Sequence, residues 1–203
     1  MIKVLASAVA SLSNSKKIHD TFKCNGNKSI TMPTISNYLK YLMESFVIQR
    51  ADRYDIKGRK YISTTSKFYY TDLGLRNALL NFRQFDETHL MENVIYNELI
   101  YRGYNVDVGV VEIRVNENGK KLRKQLEIDF VVNKFNKRYY IQSAFNMSDS
   151  EKEQIELHPL IAVDDSFKKI VVSKSYGKSW IDDKGILRIG LLDFLLDENS
   201  LDR

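Results

Sequence analysis

The sequence predicts a chain of mixed α and β structure with two domains, residues 1–81 and 82–203. Three observations predict it: helical apolar spacing dominates the start of the chain, alternating apolar spacing dominates its middle, and the charge balance changes near Asn81. Residues 1–81 carry 13 Lys or Arg against 5 Asp or Glu, a net +8, whereas residues 82–203 carry 18 against 21, a net −3. A basic first domain favours an anionic partner, most simply nucleic acid.

The composition suits a soluble protein with a substantial core. Hydrophobic residues make up 43% of the chain, and no apolar run is long enough to span a bilayer. Cys24 is the only cysteine, which excludes an internal disulfide and a multi-cysteine zinc site. We therefore expect a cytoplasmic protein that does not associate with membranes.

Helical spacing predicts three helices before residue 47. The first ends near Asn14, and Ser15 is the expected N-cap of the second. The third follows Thr31, and six of its residues form the expected buried stripe: Ile35, Tyr38, Leu39, Leu42, Met43 and Phe46. Its opposite face carries a polar set of the size that enters a DNA major groove: Thr34, Asn37, Lys40 and Tyr41.

Two strands follow, from residue 47 to 54 and from 60 to 70, joined by a turn that contains glycine. Three helices followed by a hairpin is the layout of a winged helix-turn-helix. The hairpin would place four cations against phosphates: Arg53, Lys57, Arg59 and Lys60. The alternative is a winged helix that contacts protein, and the position of the charge favours DNA. A short helix from Asp72 to Leu80 then connects the two domains.

The second domain begins with a predicted helix from Thr88 to Arg102, ended by Gly103. Strands are predicted at 104–115, 126–132, 139–144, 169–173 and 186–190, and further helices at 150–157 and 191–196. A glycine-containing hairpin at 116–120 joins the first two strands. This order predicts an α/β core in which helices cover the sheet.

The strands at 126–132 and 139–144 carry a candidate site. Alternation places Leu126, Ile128, Phe130 and Val132 on one face of the first strand, and Glu127 and Asp129 on the other. In the second strand Gln142 and Ala144 share a face. A carboxylate in mid-strand costs stability unless it is solvated, paired or bound. The stretch is therefore either a binding site or a sheet face that meets water.

With Glu92 on the preceding helix, Asp129 and Gln142 complete an arrangement similar to the restriction-endonuclease-like PD-(D/E)xK superfamily. Four phrases also resemble the uncharacterised C-terminal region of a bacterial and archaeal family of AAA-type ATPases. They are Tyr70-Thr71-Asp72-Leu73-Gly74-Leu75-Arg76, Met91-Glu92-Asn93 with Asn97-Glu98-Leu99, Glu127-Ile128-Asp129-Phe130-Val131, and Tyr140-Ile141-Gln142.

In that ATPase family a nucleotide-binding module precedes a winged helix and a nuclease-like domain. The resemblance therefore implies DNA and an ATPase module, in cis or in trans, as partners, with ATP bound only in that module, and it allows an oligomer. The chain departs from the family because it contains no G-x-x-x-x-G-K-[ST] motif.

In active PD-(D/E)xK enzymes acidic groups hold Mg²⁺, which activates water and neutralises developing charge. The resemblance assigns Glu92 and Asp129 to the metal-binding acids, with Glu127 beside them, and Gln142 to the third ligand. Gln142 is a weaker ligand than a carboxylate, and Ala144 stands at the position of the superfamily's lysine. Losing one such electrostatic partner costs about 3 kcal/mol. We therefore expect a vestigial site. The alternatives are an active Mg²⁺-dependent nuclease and a protein-interaction scaffold without DNA binding.

Overall fold

The structure is a computed structural model that describes residues 1–26, 29–117, 119–145, 150–174 and 178–203. The helices are α1 Ile2–Ser7, α2 Ser15–Cys24, α3 Met32–Glu44, α4 Leu73–Leu79, α5 Glu87–Tyr101, α6 Ser150–Ile161, α7 Leu191–Leu196 and a 3₁₀ turn at Ser200–Asp202. The strands are β1 Ile48–Asp55, β2 Lys60–Tyr70, β3 Asn105–Glu117, β4 Lys120–Lys134, β5 Lys137–Ala144, β6 Lys168–Ser173, β7 Trp180–Ile181 and β8 Leu187–Gly190. The predicted mixture of α and β structure is confirmed.

Two compact units make up the chain. The first contains Met1–Asp52 and Ser63–Asn93, and the second contains Arg53–Ile62 and Val94–Arg203. The base of the β1–β2 hairpin thus lies in the first unit, whereas its turn lies in the second. The sequence places its boundary near Asn81, on the basis of charge, and charge carries no information about which strand ends pair with which.

Side-chain caps begin three helices of the first unit. Asn14 accepts a hydrogen bond from the backbone N–H of Lys17 at 2.8 Å and is the N-cap of α2, so the assignment of that cap to Ser15 is wrong by one residue. Thr31 and Asp72 cap α3 and α4 in the same way. The first helix ends at Ser7 rather than near Asn14.

The core of the first unit forms between α1, α2, α3 and the hairpin base. Ile35 and Leu39 of the predicted α3 stripe are buried in it, and Leu42 and Met43 pack against it. Tyr38 and Phe46 are exposed, at 47% and 76%, so their predicted burial is wrong. Helix α3 ends at Glu44 and Phe46 has a left-handed backbone with φ +57°, which takes its ring out of the helical stripe.

A mixed sheet forms the second unit, with strand order β2-β1-β3-β4-β5-β6-β8-β7. The strands β1 and β2 enter it through their ends next to the turn, where Arg53–Asp55 pair in parallel with Val108–Val110. The β3–β4–β5 meander is antiparallel, and β5, β6 and β8 are parallel. Helix α6 covers one face through Leu157 and Leu160.

A bulge interrupts β4 at Asp129 and Phe130. Asp107 pairs with Val131 and Gly109 pairs with Ile128. One residue of β3 between these pairs therefore lies opposite two residues of β4, which is a β-bulge. Ile128 and Val131 therefore join one core cluster, while the Phe130 ring packs near that of Tyr96 with centroids 6.3 Å apart. The prediction that alternate residues from Leu126 to Val132 share one face is wrong for this reason.

Gly109 lies opposite the bulge, and the absence of a side chain there allows the close packing. A Cβ at this position would come within 2.8 Å of Val131 Cγ2 and 2.9 Å of Ile128 Cβ. Across the described ranges no helix combines the length and the apolar character needed to cross a membrane.

Candidate functional site

Glu92 is buried in the first unit and bound by two side chains of β2. Its Oε1 accepts hydrogen bonds from Lys67 Nζ at 2.8 Å and from Tyr69 Oη at 2.6 Å. Glu92 is 6% exposed and Lys67 is 4% exposed. The carboxylate that the sequence assigns to a metal is thus one half of a buried ion pair.

The neighbouring Asn93 holds the same strand through its backbone. Its Oδ1 accepts a hydrogen bond from the Tyr70 N–H and its Nδ2 donates one to the Tyr70 carbonyl, both at 2.8 Å. Glu92 and Asn93 therefore connect α5 to β2 through side-chain hydrogen bonds. Two of the phrases that carry the ATPase-family resemblance meet at this point, and their contacts stabilise the first unit.

Arg76, at the end of the first of these phrases, is also structural. Its guanidinium is buried, with Nε donating to the Ala6 carbonyl at 2.9 Å and Nη1 to the Gln84 carbonyl at 2.6 Å. One side chain of α4 thereby contacts both helix α1 and the segment that follows α4.

Asp129 and Gln142 lie opposite each other on β4 and β5 in the second unit, as the sequence predicts for adjacent strands. Asp129 Oδ2 accepts a hydrogen bond from the Ser143 N–H at 2.9 Å, and Gln142 Oε1 accepts one from the Asp129 N–H at 3.4 Å. Asp129 is 8% exposed, and Glu127 is half-buried. Ala144 is fully buried in the core cluster on the α6 side of the sheet.

Glu156 on α6 is an acid near this pair that the sequence does not reveal. Burial raises its pKa, and the negative charges of Asp129 and Glu153 raise it further. Within the described structure its Oε2 is buried without a hydrogen-bond partner. Glu153 is instead paired with Arg188 at 2.8 Å. No spacing rule links α6 to β4, because the two elements are distant in sequence.

Asp129 and Gln142 alone do not provide the oxygen ligands of a Mg²⁺ site. Mg²⁺ favours carboxylate oxygens in octahedral geometry, whereas this pair offers one carboxylate and one neutral amide, and each is hydrogen-bonded to the backbone. No group of three or more His, Cys, Asp or Glu side chains in the described ranges could hold a metal ion. We therefore derive no metal-dependent step from these residues.

On α3, the residues expected to contact DNA differ in what they do. Asn37, Lys40 and Tyr41 are exposed, and Lys40 lies 3.6 Å from Glu44 one turn away. Thr34 is half-buried and its hydroxyl lies 2.9 Å from that of Thr31. Thr34 therefore belongs to the cap of α3, while the other three form a polar surface.

The β1–β2 turn presents three exposed cations, Lys57, Arg59 and Lys60. Its shape depends on Asp55, whose Oδ1 accepts a hydrogen bond from the Gly58 N–H at 2.9 Å. A Cβ at residue 58 would lie 2.2 Å from Asp55 Oδ2, so any larger residue there would displace the Asp55 carboxylate from its present position. Arg53 lies below the turn, and its Nη2 donates to Gln125 Oε1 at 3.0 Å.

A polar groove of about 650 Å³ lies between this turn and the β3–β4 hairpin, and we call it the hairpin groove. Its lining combines four cations with two acids and Ile113: Lys57, Lys60, Arg114 and Arg123 with Asp55 and Glu112. Arg114 and Arg123 are direct partners across the β3–β4 ladder. No motif in the sequence distinguishes either arginine as a binding residue, although the basic run from Lys120 to Lys124 indicates a charged strand.

Both acids of the hairpin groove already have partners. Asp55 accepts from the turn backbone, and Glu112 Oε1 lies 3.5 Å from Arg123 Nη1. Lys57 Nζ donates to the Glu112 carbonyl at 3.3 Å. Because the cations outnumber the acids, the groove attracts an anionic ligand.

Comparison with known proteins finds similarity to a family model, to a curated protein and to a solved structure. Residues 1–86 match a family described as "Domain of unknown function (DUF8612)". A curated protein from Haemophilus influenzae, described as an uncharacterized protein, is 32% identical over 197 residues. That alignment covers 97% of this chain and 45% of the relative, so the chain spans less than half of the relative's length.

Among solved structures, the protein VC1899 from Vibrio cholerae aligns with 98% of this chain and 54% of its own, with 12% identity. The TM-score of 0.35 is too low to support an argument about the fold.

Proposed function

We propose that this chain is a duplex DNA-binding and assembly module of an AAA-type ATPase, and that its nuclease-like part is inactive. In this proposal α1–α3 and the β1–β2 hairpin form a winged helix-turn-helix. The second unit has a restriction-endonuclease-like fold. DNA contacts the hairpin groove, and the exposed residues of α3 offer a further polar surface.

The observation that carries the proposal is the composition of the hairpin groove. Small-molecule pockets are mostly apolar, whereas Ile113 is the one apolar residue among those that line this groove. Lys57 and Lys60 on the turn and Arg114 and Arg123 on the hairpin supply point charges and guanidinium forks, which are the groups that bind backbone phosphates.

Two positions support an inactive nuclease. Ala144 supplies no cation, and it is fully buried in an apolar cluster. Gln142 supplies a neutral oxygen in place of a carboxylate. An active Mg²⁺-dependent nuclease remains the alternative. Plasmid nicking that needs Mg²⁺ and disappears in Asp129→Ala would establish that alternative and overturn this part of the proposal.

The association with an ATPase is supported by the four sequence phrases that resemble the C-terminal region of that ATPase family. Reading the coding sequence upstream of Met1, and the neighbouring genes, tests it. A Walker A motif there supports the association. Its absence from both removes the support.

DNA binding is tested by the salt dependence of duplex affinity. We compare the wild-type chain with a triple variant, Lys57→Ala, Arg59→Ala and Lys60→Ala. Each lost phosphate contact lowers the slope of log K against log salt by about 0.9. A control triple of exposed lysines, Lys3→Ala, Lys16→Ala and Lys184→Ala, removes the same charge from outside the hairpin groove.

We expect the turn variant to bind duplex DNA more weakly and with a smaller dependence of log K on log salt. The control variant is expected to keep most of the wild-type affinity and most of the wild-type salt dependence. Equal losses in both variants would indicate attraction to net charge alone. No shift of duplex DNA by the wild-type chain at low salt would favour the protein-interaction scaffold.

A further inference from the structure

A second groove of about 750 Å³ lies on the other side of the β1–β2 turn and has a different chemistry. It shares Lys57 with the hairpin groove, but aromatic rings line it: Tyr54, Phe135 and Phe167. Arg59 and Arg138 are its arginines. We call it the aromatic groove.

Phe135 is the most unusual of these residues. It occupies the β4–β5 turn, is 99% exposed, and has a left-handed backbone with φ +53°. A bulky residue in this backbone region is uncommon, because its Cβ crowds the chain. The ring contributes almost no burial to the fold. A flat apolar surface is thus held in solvent at an energetic cost, at the rim of a cationic groove.

Arg138 provides a fixed cation in the same groove. Its Nε donates to Asn133 Oδ1 at 2.7 Å, and its guanidinium lies 5.6 Å from the Tyr54 ring and 5.2 Å from the Phe167 ring. These contacts hold the guanidinium in place before any ligand arrives. A pre-positioned arginine loses little conformational entropy when it binds a phosphate.

One of the two acids that line the aromatic groove already accepts hydrogen bonds from within the protein. Asp165 Oδ2 accepts a hydrogen bond from Tyr140 Oη at 2.6 Å, and its Oδ1 accepts one from the Phe167 N–H at 3.1 Å. Asp165 therefore fixes the segment that carries the Phe167 ring. Asp164 is the other acid in the lining, against the cations Lys57, Arg59, Lys137 and Arg138. Lys137 is itself paired with Asp202 at 2.8 Å.

We propose that the aromatic groove binds single-stranded nucleic acid, with an unpaired base stacked on Phe135 and a backbone phosphate against Arg138 or Arg59. Aromatic rings beside a cationic groove are the means by which proteins hold single strands, because every base offers a flat face. Bases inside a duplex stack on one another and do not present that face. The inference rests on the proposed nucleic-acid binding and specifies a second form of its ligand.

The binding of a short single-stranded DNA that contains a fluorescent adenine analogue tests this. Anisotropy reports affinity, and quenching of the analogue reports stacking. Because one stacked base contributes a factor of about 5 to 150 in affinity, we expect Phe135→Ala to weaken binding by that factor and to abolish quenching. Phe135→Trp is expected to keep both, and Phe135→Asn, which tolerates positive φ, to lose both.

Phe46→Ala is the matched control, because Phe46 is also an exposed phenylalanine, at 76%, with φ +57°. We expect it to bind the single strand as the wild type does. Unchanged affinity and quenching in Phe135→Ala would overturn the proposal. So would a poly-glutamate peptide whose binding depends on Phe135 as strongly as that of the single strand.

Different outcomes contradict the proposal of duplex binding and the proposal of single-strand stacking. The single variant Lys60→Ala changes a residue that lines the hairpin groove only, whereas Phe135→Ala changes the aromatic groove and not the hairpin groove. If duplex binding is absent but the single strand binds and depends on Phe135, the duplex proposal fails and the stacking proposal stands. If the duplex depends on Lys60 and no single strand quenches on Phe135, the stacking proposal fails.

Discussion

Replacing Glu92 by alanine is expected to destabilise the first unit strongly. The change removes the carboxylate that accepts hydrogen bonds from Lys67 at 2.8 Å and Tyr69 at 2.6 Å, and it leaves the Lys67 ammonium 4% exposed. Breaking a buried ion pair at one partner costs about 3–5 kcal/mol, because the remaining charge stays buried after it has lost the opposite charge.

The same contacts determine how much stability two related variants are expected to lose. Tyr69→Phe removes one hydrogen bond to a charged acceptor and is expected to cost about 1.5–3 kcal/mol. A double variant, Lys67→Met with Glu92→Gln, removes both charges together. It is expected to lose less stability than Glu92→Ala alone, because neither charge of the ion pair remains buried.

Urea unfolding followed by far-UV circular dichroism measures these differences. The exposed pair Lys40–Glu44, 3.6 Å apart, provides the matched control. Glu44→Ala is expected to change the free energy of unfolding by no more than about 0.5 kcal/mol, since exposed helical pairs contribute little. A loss below about 1 kcal/mol in Glu92→Ala would refute the structural role of Glu92. It would return this residue to the candidates for ligand binding.

Two further predictions concern the second unit. Because burial raises the pKa of Glu156 above the ordinary 4.5, its protonated form is favoured in the fold. The stability of the wild type relative to Glu156→Gln should therefore fall as pH rises from below 4.5 through the raised pKa. Urea titrations of both proteins at each pH measure this difference in the free energy of unfolding. A difference that does not change with pH would contradict the prediction. Ala144→Lys puts a charged ammonium into a fully buried position within an apolar cluster and is expected to cost more than about 3 kcal/mol without creating Mg²⁺-dependent nicking. A stable, nicking variant would show that the nuclease site lacks only its lysine.

Local signals in the sequence predict local structure well. Helix α7 is predicted at its observed bounds, and Asp72 begins the short helix α4, because capping and helical spacing act within a few residues. The pairing of β4 with β5, which brings Asp129 next to Gln142, also follows from the sequence. A short connection between two alternating runs specifies an antiparallel pair.

The features that the sequence misses depend on partners distant in the chain. The bulge at Asp129 and Phe130 lies in a run of apolar residues whose alternation fits either face, and the partner strand decides the register. Lys67, which pairs with Glu92, lies 25 residues away on a strand with no distinguishing pattern. The family resemblance thus draws attention to Glu92, but what Glu92 binds depends on tertiary contacts.

The division of the β1–β2 hairpin between two units affects how the protein can be cut into pieces. A fragment starting at residue 82 or 94 would lack Arg53–Asp55, the strand end that pairs with Val108–Val110. The main-chain groups of β3 that pair with β1 would then lack hydrogen-bond partners, and β3 is rich in valine. Open apolar edges of this kind template pairing between chains. We expect such a fragment to aggregate, whereas one starting at residue 53 keeps its own edge covered.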